Sequence, residues 1–137
     1  MRVKKFLTVL LTFLIGVAAG ILFVTPGFQK RTDVYLQDFS VSEDGSVITV
    51  RTFPIGSMGF IRAMETKQTG NEIHCSFYGC FGGLNSSIGA KNRFEIKLEG
   101  LVGSAESIYF DRAYFDQPVL ERDADTGVWT SISPLPQ

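Results

Sequence analysis

The chain has 137 residues, enough for one domain of ordinary size, with 13 basic and 14 acidic residues and a net charge of −1. That balance is unevenly spread: Thr32 to Gln137 carries eight basic and fourteen acidic side chains, a balance of −6, and the other five basic residues flank one apolar stretch. So acidic a segment repels nucleic acid and anionic polymers within a Debye length, which argues against nucleic-acid binding.

The apolar stretch is FLTVLLTFLIGVAAGILFV, Phe6 to Val24, with no charge and two threonines. About 20 such residues cross a bilayer core. Arg2, Lys4 and Lys5 precede it and Thr25-Pro26-Gly27 follow it. Val17-Ala18-Ala19 before Gly20 would suit signal peptidase, which leaves a cleaved signal peptide as an alternative. An uncleaved signal anchor is the preferred reading, because the run stays apolar through Ile21, Leu22, Phe23 and Val24, past that point. The basic residues at the start favour a cytoplasmic N-terminus. The expected division is a cytoplasmic basic tail (1–5), a transmembrane signal anchor (6–24), a linker (25–32), an extracytoplasmic β domain (33–132) and a flexible tail (133–137).

After the linker the period changes from helical to two. VYLQDFSV alternates Tyr35, Gln37, Phe39 and Val41 with Val34, Leu36, Asp38 and Ser40; SEDGS is a turn with Gly45 at positive φ; SVITVRTF is β-branched and reads as a strand that Pro54 and Gly56 break. MGFIRAMETKQ alternates again, Thr69-Gly70-Asn71 turns the chain, and EIHCSFY puts Ile73, Cys75 and Phe77 on one face. RFEIKLE is a half-buried strand with Phe94, Ile96 and Leu98 inward. SIYFDR, QPVLERD and VWTSI complete the set, the last two joined by a turn at Asp123–Gly127. Short strands at this spacing predict an all-β domain, an immunoglobulin-like antiparallel β-sandwich of about seven or eight strands behind one N-terminal helix. The Cys…Trp…Cys spacing of immunoglobulin domains is missing, since Cys75 and Cys80 are close together and Trp129 follows both.

Chemistry-bearing patterns are weak. FYGCFGGLNSSIGAKN, Phe77 to Asn92, is glycine-rich, but five residues separate Gly83 from Gly89 and Ala90 parts Gly89 from Lys91. A Walker loop needs four residues, then Gly-Lys-Ser/Thr and a helix; here a strand follows, so the stretch reads as a connection. In a straight strand Cys75 and Cys80 would lie about 17 Å apart, against the 7 Å or so that a disulfide spans. A bridge forms only if Gly79 turns the chain back; otherwise Cys75 is a core thiol and Cys80 a loop thiol. His74, the single histidine, is predicted to point away from Ile73 and Cys75, which leaves a Cys-His or Ser-His-Asp site without geometry. Asp123, Asp125 and Gly127 resemble the start of a calcium loop, but Pro134 stands where the closing Glu belongs. Asp111, Asp116 and Glu121 could pair as acid and base, with nothing in their spacing to select them.

GSMGFIR (56–62), FYGCFGGLNSSIGAKNRFEI (77–96), IYFDR (108–112) and TGVW (126–129) together resemble a group of small uncharacterised proteins of anaerobic Gram-positive bacteria, many with an N-terminal membrane or export segment. The resemblance spans most of Asp33 to Trp129 and implies an envelope location. Its pattern has no cysteine where Cys75 and Cys80 stand, so it implies that these thiols are local to this chain. It brings no activity, cofactor or site residue.

The expected function is therefore a non-catalytic interaction or structural module of the cell envelope, anchored in the membrane by a single pass. It would need no cofactor or metal, and its partner would be an envelope protein or peptide. The alternatives are a secreted small-molecule or peptide binder released near Ala19, and an envelope hydrolase using carboxylates.

Overall fold

A computed structural model of the chain describes residues 2–24, 29–55, 60–79, 90–98, 104–112 and 116–132. Helix α1 runs from Arg2 to Val24, so the three basic residues at the start belong to its first turns. Its window Arg2–Ile21 has a mean hydropathy of 1.8 and no part buried against the rest of the chain. The hydroxyls of Thr8 and Thr12 donate to the carbonyls of Lys4 and Thr8, each at 2.9 Å, and so carry no unmet polarity on the helix surface. The helix is long and apolar enough to span a membrane or to act as a signal.

The rest of the described chain is β structure in two sheets. Strands β2 (Val34–Val41), β3 (Val47–Pro54) and β6 (Arg93–Lys97) form one, in the order β2-β3-β6. The other holds β1 (Gln29–Arg31), β4 (Ala63–Thr69), β5 (Glu72–Gly79), β7 (Ser107–Phe110), β8 (Leu120–Arg122) and β9 (Trp129–Ser131). Here β5 is the hub. Strand β4 lies antiparallel along its full length from Glu72 to Tyr78, while β7 takes Glu72 to Cys75 and β1 takes Phe77 to Gly79. Strands β8 and β9 extend the sheet beyond β7.

The two sheets share one core. Val34, Leu36, Ile48, Val50, Phe94 and Ile96 from the three-stranded sheet meet Ile73, Cys75, Phe77, Ile108, Phe110, Leu120 and Trp129 from the other. Phe77 joins them: its ring lies edge-on to Phe94 at 5.7 Å and to Phe110 at 4.7 Å.

Three expectations are corrected. The segment 25–32 is not linker throughout, because Gln29–Arg31 pairs with Gly79–Phe77 as β1. The pairing is not all antiparallel, because β5 and β7 run parallel. The alternation in β2 breaks at a bulge between Leu36 and Asp38, which leaves Gln37 without an opposite residue. Beyond it Phe39 lies opposite buried Val50 and packs on the core, whereas Ser40 and Asp38 share the outer face with Thr49 and Arg51.

The turns follow their sequences. Gly45 (φ 73°), Gly70 (φ 63°) and Gly127 (φ 70°) take the left-handed backbone that turn chemistry assigns to glycine. In the first turn the Asp44 carboxylate accepts from the Ser42 hydroxyl at 2.6 Å, the Ser46 hydroxyl at 2.8 Å and the Ser46 amide at 3.1 Å. The Ser42 hydroxyl and then the Ser46 groups hold its pKa down at about 2. Gly79 serves a different need, since a Cβ there would lie 2.7 Å from the Phe60 carbonyl oxygen.

Two outcomes follow for urea unfolding of the chain in detergent, read by the buried Trp129. F77A will lose about 3–5 kcal/mol, the usual cost of emptying a buried Phe site. G79A will lose about 1–3 kcal/mol, because the Phe60 backbone must move to admit the methyl group.

Candidate functional site

The face of β5 turned away from the core carries Glu72, His74, Ser76 and Tyr78, each half-buried. The same alternation that buries Ile73, Cys75 and Phe77 puts them there. In the parallel register β7 sets Tyr109 beside His74, and the chain leaving β7 brings Asp111 next to Ser76. Strand β1 adds Lys30, opposite Tyr78. Across the other edge β4 sets Lys67 opposite His74 and Glu65 opposite Ser76.

The polar groups are paired with one another. The Ser76 hydroxyl donates to Asp111 Oδ2 at 2.5 Å, and Lys30 Nζ donates to the same oxygen at 3.0 Å. The His74 ring stacks on Tyr109 with centroids 4.9 Å apart and planes 9° apart. Its Nε2 lies 3.2 Å from Glu72 Oε2 and its Nδ1 lies 3.6 Å from Asp111 Oδ1. The Tyr109 hydroxyl donates to Glu72 Oε1 at 3.5 Å, a long contact. Partial burial alone would raise the pKa of Asp111; the Ser76 hydroxyl, Lys30 and His74 outweigh it and leave the carboxyl below its ordinary value.

The contacts of this network run in the order Ser76–Asp111–His74–Glu72. In nucleophilic catalysis the histidine must stand between the serine and the acid, to take the hydroxyl proton. Here the hydroxyl donates to a carboxylate whose lowered pKa makes it a weak base, and the imidazole is not its acceptor. Cys75 offers no substitute: it is fully buried and points to the opposite face, and burial together with Asp111 pushes its thiol up to about 12. The two carboxylates near His74 face different ring nitrogens, so they do not converge on one point as metal ligands do. Among the described residues no cluster of three or more His, Cys, Asp or Glu side chains could hold a metal ion. What the network does is tie β1, β5 and β7 together on the outer side of the sheet.

The other candidates fare as follows. Cys80, the second member of the candidate disulfide, lies outside the described residues, as do residues 80–89 of the glycine-rich stretch. The described ends of that stretch belong to β5 and to the approach to β6, so it carries the chain from one sheet to the other. The Asp123 carboxylate accepts the amides of Asp125 at 2.9 Å and Thr126 at 2.8 Å, the Thr126 and Asp125 amides hold its pKa down, and Gly127 closes the turn. A hydrogen-bonded turn thus accounts for the residues that resembled a calcium loop. Of the three acids, Asp111 joins the network while Asp116 and Glu121 are exposed. Sequence reasoning missed the meeting of His74 and Ser76 with Asp111, Tyr109 and Lys30, which the parallel pairing and β1 bring about. Its one visible trace is the polar run Glu72, His74, Ser76 on the outer parity of β5.

Comparison with protein families, with curated proteins and with solved structures finds no match for this chain.

The Asp111 pKa is lowered on folding, so its stabilisation is present above the unfolded value near 3.9 and is lost as pH falls through the lower folded value. D111N will destabilise the chain at pH 7 by about 1 kcal/mol, the loss of a charged hydrogen bond discounted for solvent exposure. Urea unfolding across pH will find that difference shrinking below pH 4 or so. A difference constant with pH would contradict the assignment.

Proposed function

We propose that this chain is a single-pass, membrane-anchored module with its β domain outside the cytoplasm, acting by binding or by structure and not by catalysis. The observation that carries the reading is the helix: from Arg2 to Ile21 every side chain is exposed to whatever surrounds it. Leaving 20 residues of this hydropathy in water is costly, and a bilayer covers them at the right length. Three basic residues at its start favour an N-terminus in the cytoplasm. The paired polar groups of the outer face of β5 support a non-catalytic role, because the order Ser76–Asp111–His74 gives the hydroxyl a weakly basic carboxylate in place of the imidazole.

For the domain we propose the immunoglobulin-like sandwich class. Two sheets around one core of this size support it, with the parallel β5–β7 pair as a local departure. Resemblance of the motifs in 56–129 to small exported proteins of anaerobic Gram-positive bacteria accords with an envelope location. The partner in this reading is a protein or peptide of the envelope.

The mass of the native protein, taken separately from membrane and culture-medium fractions of the producing cells, tests the anchor. The expected result is a full-length chain in the membrane, with the β domain cleaved by protease added to intact cells. A shortened chain in the medium, beginning near Gly20, would replace this reading with that of a secreted binder.

A further inference from the structure

The outer face of the three-stranded sheet behaves differently from that of β5. In the β3–β6 pairing Arg51 stands directly opposite Arg93. Like charges in that relation destabilise a sheet unless something neutralises them. The four ion pairs among the described residues use neither arginine, and neither has a further partner. Two acids share this face: Glu95, opposite Thr49, which makes no ion pair, and Asp38, which β2 sets opposite Arg51. Asp38 Oδ1 instead accepts the amide of Phe39 at 2.8 Å, at the bulge.

An open cleft of about 140 Å³ on the sheet surface is lined by Asp38, Phe39, Ser40, Thr49, Arg51 and Arg93. Ser40 and Thr49 face each other across β2 and β3 on the same side as the arginines, and neither hydroxyl has a hydrogen-bond partner. The cleft thus offers two guanidinium forks and two free hydroxyls, with one carboxylate, Asp38, at its wall.

We propose that this cleft binds the phosphate group of a soluble phosphomonoester. Two guanidiniums against one carboxylate leave the cleft with a local excess of positive charge, which a phosphomonoester dianion complements. Guanidinium forks bind phosphate through paired N–H donors, and serine and threonine hydroxyls add single ones. Charge also selects the source. The segment from Thr32 onward has a balance of −6 and is repelled by an anionic lipid surface, while a small dianion reaches a local cationic site at close range. Phosphomonoester binding does not depend on whether the helix anchors the chain.

The test uses the full chain in phosphatidylcholine nanodiscs, with inorganic phosphate as probe and the arginine Nε–Hε resonances as readout. Saturable shifts of Arg51 and Arg93 are expected with phosphate and not with chloride at equal ionic strength. R51Q and R93Q will each weaken binding about tenfold or more, the second serving if the half-buried first fails to fold. D38N will tighten it severalfold by removing the carboxylate at its wall. The absence of saturable shifts, equal shifts with chloride, or unchanged binding in both glutamine variants would overturn the proposal. Recruitment of the nanodiscs to vesicles containing phosphatidic acid, without a response to free phosphate, would overturn the soluble source.

Discussion

Strand β5 is hydrogen-bonded along both edges, and the rest of the domain is arranged by that constraint. With β4 on one side and β7 and β1 end to end on the other, it is paired on both edges from Glu72 to Tyr78 except at Ser76, where β7 gives way to β1. Its period of two then acts on three neighbours at once. Ile73, Cys75 and Phe77 are turned into the core, where each contributes about 1.5–3 kcal/mol of apolar burial, at the lower end for the thiol. Phe77 carries the contact across to Phe94 and so couples the second sheet to the first. A register slip of one residue in β5 would expose this set and bury Glu72, His74 and Ser76.

The other parity of the same strand explains the polar network. Groups that would be solvated on an isolated strand are brought within reach of Tyr109, Asp111 and Lys30, and they satisfy one another. The result is electrostatically closed: Asp111 faces a lysine, a hydroxyl and an imidazole, and His74 lies between two carboxylates. Such closure favours rigidity over reactivity, because each proton-transfer group already has a partner. On the three-stranded sheet the corresponding face is electrostatically open. The bulge at Gln37 turns Phe39 inward, and the Asp38 carboxylate bonds the Phe39 amide there, so Arg51 and Arg93 stand together without an ion pair. The same strand geometry therefore gives one face whose charges are paired and one that leaves two arginines outside any ion pair.

The helix obeys a different rule. It makes its backbone hydrogen bonds internally, and its two threonines return their hydroxyls to the helix carbonyls, so it needs no polar partner from elsewhere. What it needs is an apolar surrounding. That requirement is written in composition alone, and the fold of the β domain neither supplies nor alters it.

This difference marks what sequence by itself determined. The apolar helix, the β character of the remainder, the inward sets Ile73-Cys75-Phe77 and Phe94-Ile96, and the turns at Gly45, Gly70 and Gly127 were all legible, because each depends on residues within one period or one turn. The burial of Cys75 beside Ile73 and Phe77 followed from the same parity. The parallel β5–β7 pair, strand β1 and the bulge in β2 were not legible. Short strands such as Gln29–Arg31 have no periodicity to read, and a parallel pairing leaves no turn between its members. The meeting of His74 and Ser76 with Asp111, and of Arg51 with Arg93, was decided by tertiary structure. It depends on which strands become neighbours and in what register, and those choices follow from burying one shared core that no single segment encodes.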